Sequence, residues 1–157
     1  MRGIIDLALR AEELFQQFLP IIEGTGNRLV SVSFAKSSGT IQLVLVIYNN
    51  KGISHKELAK IHNTVRARLE IIDPSADRYS IEVSTPGIER TLKNPWEYDV
   101  FSEKGVKILY DNETDWFGGI MKKHATNSIV VQNKEKSVIF EIDRIRKAKL
   151  DPTYDRG

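Results

Sequence analysis

The character of the chain changes at residues 81–92, which read IEVSTPGIERTL. The first four positions alternate apolar and polar residues, as a half-buried β-strand does. The Thr-Pro-Gly sequence that follows predicts a turn. Upstream, helical and strand patterns are mixed, whereas downstream only short strand patterns are found. The stretch therefore closes one domain, and with Lys93-Asn94-Pro95 as the boundary we predict domains at residues 1–92 and 93–157.

The spacing of apolar residues predicts an α/β domain upstream of this stretch. Helices are predicted at residues 7–22 and 54–72, and strands at 29–35, 41–48 and 79–84. Ser54 and Glu57 have the spacing of a capping box at the start of the second helix, and Asp73-Pro74 is expected to end it. The order helix-strand-strand-helix-strand predicts two layers, with both helices on one face of a small sheet.

Short alternating strands predict a small β-barrel downstream, which makes the fold class α+β. Five strands are predicted, at residues 106–110, 116–122, 129–132, 138–141 and 145–150. Polar turns separate them at the regular spacing that is typical of a small barrel. Gly118-Gly119 lies inside the second of these strands, where we predict that it lets the strand bend sharply.

Composition excludes several classes of function. The absence of cysteine excludes disulfides, thiolate zinc sites, iron–sulfur clusters and cysteine nucleophiles. Net charge is only +2, and it is spread evenly along the chain. Tight nonspecific binding of nucleic acid depends on neutralising phosphates, so any RNA contact must come from a local patch. Residues 1–20 carry acids and no continuous apolar stretch, so we expect no membrane association and a cytoplasmic location.

No catalytic residue, metal site or cofactor is predicted. His55 and His62 lie two helical turns apart, roughly 10 Å, which is too far for one metal ion without further ligands. The sequence contains no Gly-rich phosphate loop and no nucleophile elbow. The enzymatic alternative is an unrecognised site, for example one that uses Glu82 or Glu89 as acid or base, and a buried carboxylate with a raised pKa in a cleft would support it.

Two basic clusters are the candidate binding residues. The first comprises Lys122 and Lys123 at the end of one predicted strand, and the second comprises Arg144, Arg146, Lys147 and Lys149 around the last strand. A spacing of two predicts that Arg144 and Arg146 share one face of an extended segment. Such a face can hold phosphates. The alternative is a solvated basic face, diluted by neighbouring acids.

The turn after the third strand is the other candidate site. Its residues are Ser84, Thr85, Pro86, Gly87, Glu89 and Arg90. Pro86 and Gly87 suit the second and third positions of a type II turn, which requires a positive φ at Gly87. We expect the planar fork of Arg90 to pair with Glu89, Glu82 or backbone carbonyls and so to fix the placement of the two domains. The alternative is a surface for a partner.

Residues 81–92 resemble the signature of the RimP family of ribosome maturation factors. That signature is a strand reading roughly Leu-Glu-Val-Ser-Ser-Pro-Gly, then a hydrophobic residue, Asp-Arg and Pro-Leu. This chain has Thr85 for serine, Glu89 for aspartate and Thr91 for proline. The loop Gly52-Ile53-Ser54, the pair Phe117-x-Gly119 and the closing stretch from Ile145 to Pro152 are also similar to the family, in the same order.

The resemblance implies an N-terminal α/β domain and a C-terminal SH3-like, Sm-related barrel. It implies a non-catalytic factor that binds the free small (30S) ribosomal subunit during its maturation, through a small-subunit ribosomal protein near the decoding region and possible rRNA contacts. We expect a monomer. The alternative is a general Sm-like RNA-binding or RNA-chaperone module, which would form a ring oligomer and bind isolated single strands.

Overall fold

The computed structural model describes residues 4–37, 39–73 and 79–155. The chain is a mixed α and β protein, as predicted, and it divides into two compact units, Met1–Pro86 and Gly87–Gly157. Residues 87–92 thus group with the second unit, whereas the sequence assigned them to the first. Pro74, expected to end the second helix, lies outside the described residues.

Over the residues that the structure describes, the first unit contains two helices and three strands in the predicted order, helix-strand-strand-helix-strand. The elements are α1 (Ile4–Glu23), β1 (Arg28–Ser37), β2 (Thr40–Tyr48), α2 (His55–Ile72) and β3 (Tyr79–Ser84). The sheet order is β1-β2-β3, with β1 and β2 antiparallel and β2 and β3 parallel. Parallel strands need a crossover connection, which α2 supplies. None of the helices in the described ranges is long and apolar enough to span a bilayer.

The start of α2 shows half of the predicted capping box. The Ser54 hydroxyl accepts a hydrogen bond from the Glu57 amide at 3.1 Å. The Glu57 carboxylate, which a complete box would turn back to the Ser54 amide, instead accepts a hydrogen bond from Asn27 at 3.1 Å. The cap therefore links the helix start to the loop before β1.

One hydrophobic cluster joins the two helices to one face of this sheet. Alternate residues of β2 supply the sheet side, and residues at helical spacing supply the other. The central buried residues are Leu14, Phe18, Ile22, Leu43, Leu45, Ile47, Ile61, Val65 and Leu69. Burying each such side chain is worth about 1.5–3 kcal/mol, so this contact accounts for the predicted two layers.

The second unit is an antiparallel sheet with short helical turns between its strands. Its strands are β4 (Gly105–Tyr110), β5 (Phe117–Ala125), β6 (Ser128–Gln132), β7 (Ser137–Glu141) and β8 (Ile145–Leu150). Its helical pieces are α3 (Glu97–Val100) and two 3-10 turns, Ile142–Arg144 and Pro152–Tyr154. The sheet order is β7-β6-β5-β4-β8. All five predicted strands are confirmed, whereas the helical pieces were not predicted.

Residues 90–92 pair with the outer edge of β8. Thr91 forms a bridge with Lys149, the Leu92 amide donates to Ala148 at 2.8 Å, and the Leu150 amide donates to Arg90 at 2.9 Å. This pairing explains why residues 87–92 belong to the second unit. Within the described part of that unit no strand pairing joins the edge strands β7 and β8. What the structure shows is an antiparallel five-stranded sheet.

The two adjacent glycines of β5 are required for a reason other than the predicted bend. A Cβ on Gly119 would lie closer than 3.0 Å to the backbone carbonyl of Gln132, and one on Gly118 equally close to the Tyr154 ring. Neither glycine has a positive φ. The pair therefore makes room for two neighbours that approach the strand closely, namely the end of β6 and the C-terminal 3-10 turn.

Candidate functional site

The turn after β3 forms two positions later than predicted. The Arg90 amide donates to the Gly87 carbonyl at 3.2 Å, so Gly87 is the first residue of the turn rather than the third. The prediction of a positive φ at Gly87 is wrong, and a Cβ there would meet no atom within 4 Å. Ser84 ends β3, while Thr85 and Glu89 are exposed. The backbone at Gly87 therefore does not depend on glycine.

Arg90 pairs with Glu97, not with the residues predicted for it. The Arg90 Nε lies 2.8 Å from Glu97 Oε1, and Arg90 Nη2 lies 3.2 Å from Glu97 Oε2. Glu97 is completely buried and the Arg90 side chain is only 12% exposed. Of the predicted partners, Glu89 is exposed and Glu82 accepts a hydrogen bond from Gln42 at 3.3 Å. Arg90 is thus a buried structural cation of the second unit.

Glu97 also holds the chain that precedes α3. Its Oε2 accepts hydrogen bonds from the backbone amides of Lys93 and Asn94, at 3.3 and 3.1 Å, and from the Asn94 side-chain amide at 2.9 Å. A buried carboxylate is tolerated when it is paired and hydrogen-bonded in this way. Sequence reasoning missed Glu97. Its position three residues after Asn94 is a helix-start signal that could have found it.

Tyr98 follows this carboxylate and is itself buried. Burial, and then the negative charge of Glu97, raise the pKa of the Tyr98 hydroxyl from 10.0 to about 12. Between these values the unfolded chain loses a proton that the folded chain keeps. The contribution of Tyr98 to stability is therefore complete below about pH 10 and is lost as the pH rises towards 12.

We expect the free energy of unfolding to fall between pH 10 and 12 by up to about 1.4 kcal/mol per pH unit on account of Tyr98. Tyr98→Phe should remove this component, because phenylalanine has no proton to lose. Denaturant titrations followed by circular dichroism at pH 9, 10 and 11 measure it, with other titrating groups common to both proteins. Identical pH profiles for the wild type and Tyr98→Phe would contradict the assignment.

The predicted second basic cluster is not one face of a strand. Arg144 lies in a 3-10 turn, so the spacing argument that placed it beside Arg146 is wrong. Its guanidinium hydrogen-bonds to the Asp111 carboxylate, which raises the pKa of Arg144, and lies 5.4 Å from the Tyr110 ring centre. Arg144 is therefore already paired on the surface of the sheet.

Arg146 occupies an irregularity in β8. Leu109 pairs with Lys147 and Tyr110 with Ile145, which leaves Arg146 as an extra residue opposite β4. A bulge of this kind re-aims a side chain. The Arg146 guanidinium donates to the backbone carbonyl of Glu113 at 2.6 Å, so this bond does not pair it with a carboxylate.

The remaining lysines lie on the two strands that flank β4. Lys149 pairs with Lys107 across the sheet, and Lys107 lies 5.3 Å from the Trp116 ring centre. Lys107 was not predicted as a site residue. Lys122 and Lys123 are exposed near the end of β5, beyond its pairing with β4, and the Lys122 ammonium is 4.0 Å from Glu103. The two predicted clusters thus lie on separate strands, with β4 between them.

A cleft of about 330 Å³ brings part of the second cluster together with the chain around α3. Its lining includes Lys93, Asn94, Tyr98, Asn127, Arg146 and Lys147. Lys93 and Asn127 were not predicted as site residues, because they are remote from β8 in sequence. The cleft joins two of the predicted basic residues, Arg146 and Lys147, to the chain that Glu97 holds.

The two histidines on α2 have different surroundings, since His55 is exposed and His62 is half-buried. The His62 Nε2 lies 3.1 Å from the Ile81 carbonyl of β3, so this ring links the helix to the sheet. Within the ranges that the structure describes, no group of three or more potential metal ligands comes together.

Comparison with known families concerns the first unit and the turn that follows it. Residues 18–89 match the family model described as the RimP N-terminal domain. The match runs from the second half of α1 through β3 to Glu89, so it includes most of the stretch that suggested the family. These elements define the first unit as a domain of the kind found in ribosome maturation factors. The first unit therefore carries a match to the RimP N-terminal domain, and the resemblance inferred from residues 81–92 is confirmed.

Proposed function

We propose that this protein is a non-catalytic factor that binds the free small ribosomal subunit and assists its maturation in the cytoplasm. The observation that carries the proposal is the match of residues 18–89 to the RimP N-terminal domain. The second unit is proposed to be an SH3-like, Sm-related barrel that contacts the subunit. Five short antiparallel strands with irregular register in β4–β8 and β5–β6 support this, since such irregularities increase strand bending and twist.

The environment of the acidic candidates supports a non-catalytic role. Glu82 and Glu89, the acids named for the enzymatic alternative, are both exposed. A general acid or base at neutral pH needs a pKa raised by burial or by a like charge. The carboxylate that is fully buried, Glu97, is paired with Arg90 and accepts three further hydrogen bonds. It therefore serves to hold the chain together.

We expect the purified protein to co-sediment with free small subunits and not with large subunits or assembled ribosomes. The preference should be about tenfold or more in affinity, which corresponds to about 1.4 kcal/mol. Sedimentation of the protein with each separated particle at one ionic strength measures it. Equal binding to all three particles, or to none, would overturn the proposal. Tight binding to isolated single-stranded RNA by a ring oligomer would favour the Sm-like chaperone alternative instead.

A further inference from the structure

The cleft beside α3 has an excess of positive charge. Lys93, Arg146 and Lys147 line it, and Asp143 is the acidic residue among its lining groups. Within the described ranges, neither the Lys93 nor the Lys147 ammonium lies within 4.0 Å of a carboxylate, and Arg146 bonds to a backbone carbonyl. Three cationic residues and one acidic residue therefore line one concave space. Such a space attracts an anion and holds it more strongly than an open surface does.

The cleft also offers hydrogen-bond acceptors beside these cations. Because the Asn94 side-chain amide nitrogen donates to Glu97, the Asn94 carbonyl oxygen is left as an acceptor. Asp143 contributes a carboxylate, and Asn127 a further amide. A ribose-phosphate unit matches this mixture, since its phosphate accepts from cations and its 2′-hydroxyl donates to an acceptor. An acidic peptide also offers donors through its backbone N–H groups, so it is the competing ligand that the test below must distinguish from RNA.

The walls of the cleft are fixed before any ligand arrives. Glu97 holds the backbone amides of Lys93 and Asn94, and Arg90 holds Glu97. On the opposite side, Leu92 is bonded to Ala148 of β8. The Lys93 and Lys147 backbones are therefore anchored to one framework, which lowers the ordering cost of binding.

We propose that this cleft binds the sugar-phosphate backbone of RNA, at the scale of one nucleotide, through Lys93, Arg146 and Lys147. The inference rests on the proposed function and deepens it, because it assigns an RNA contact to one place on the second unit. Arg90 is then a positioning residue: it acts through Glu97 on the wall that carries Lys93.

Fluorescence anisotropy of a labelled single-stranded oligoribonucleotide tests the proposal. The double variant Lys93→Gln/Lys147→Gln should bind about tenfold more weakly than the wild type at low salt. Its plot of log affinity against log salt should be flatter by about 0.7, since the one phosphate that the cleft no longer neutralises accounts for roughly that much of the slope. The matched control is Lys51→Gln/Lys60→Gln, which removes the same charge from exposed positions of the first unit. It should retain wild-type affinity and slope.

Three results would overturn the proposal. One is binding of RNA by the wild type that does not depend on salt concentration. Another is an equal loss of RNA affinity in both double variants, which would show that the effect comes from net charge alone. The third is displacement of the RNA by an oligoglutamate peptide whose own affinity falls in the cleft variant as much as the affinity for RNA does. The cleft would then bind an acidic protein segment. Co-sedimentation of the cleft variant with small subunits separates the two proposals. If the wild-type protein does not co-sediment with small subunits in the same experiment, the subunit role is refuted, whatever the oligoribonucleotide result.

Discussion

Arg90→Ala is expected to lower the free energy of unfolding of the second unit by about 3–5 kcal/mol. The substitution leaves the completely buried Glu97 carboxylate without the guanidinium that contacts both of its oxygens. The three remaining donors to Glu97 come from Lys93 and Asn94 and carry no full charge. Lysine at position 90 would restore a charge but not the two-pronged contact, so Arg90→Lys should lie between the alanine variant and the wild type.

Tryptophan fluorescence in a denaturant titration measures this loss selectively, because both tryptophans, Trp96 and Trp116, lie in the second unit. Lys122→Ala provides the control, since the Lys122–Glu103 pair is 4.0 Å long and largely exposed, and its loss should cost no more than about 1 kcal/mol. The double variant Arg90→Met/Glu97→Leu should be more stable than Arg90→Ala, because it buries no charge. An Arg90→Ala midpoint equal to that of Lys122→Ala would refute the structural role.

Gly119→Ala is expected to cost about 3 kcal/mol, at the upper end of what overpacking usually costs. The added methyl group would collide with the Gln132 carbonyl, which is a backbone group held in the pairing of β5 with β6. Gly118→Ala should cost less, because it meets the ring of Tyr154, a partly exposed side chain that can move. The order of stability should therefore be wild type, Gly118→Ala, Gly119→Ala.

Gly87→Ala is the matched control for this series, since it adds the same methyl group where nothing lies within 4 Å. The φ of Gly87 is not positive, so alanine fits the backbone and reduces the entropy of the unfolded chain. Stability should be unchanged, or higher by about 0.4–1 kcal/mol. A loss at Gly87 as large as that at Gly119 would show that the turn needs glycine after all.

The elements that the sequence predicted are those with enough residues to show a period. In α2 the spacing of Ile61, Val65 and Leu69 is helical and all three are buried, and each strand of the second unit alternates over at least four positions. The four residues of α3 are too few for a period. Glutamate is also rarely buried, so composition gave no reason to place Glu97 inside.

The residues of the proposed binding cleft were only partly predictable, because tertiary contacts decide where their side chains lie. Arg146 and Lys147 were identified from their charge. The bulge that leaves Arg146 without a pairing partner on β4, while Lys147 pairs with Leu109, depends on the register of the two strands. Lys93 and Asn127 reach the same cleft from distant parts of the chain. Arg144 hydrogen-bonds to Asp111, and no rule of sequence spacing predicts this contact.

The pairing of residues 90–92 with β8 determines where a fragment that contains only the second unit should begin. A fragment beginning at Lys93 would contain all five strands, yet it would lack the residues that cover the outer edge of β8 and the arginine that balances Glu97. An uncovered strand edge recruits further strands from other molecules, so such a fragment would favour self-association. A fragment beginning at Gly87 retains both. The few residues ahead of the sheet thus act as its edge protection, and they must be kept whenever the second unit is expressed alone.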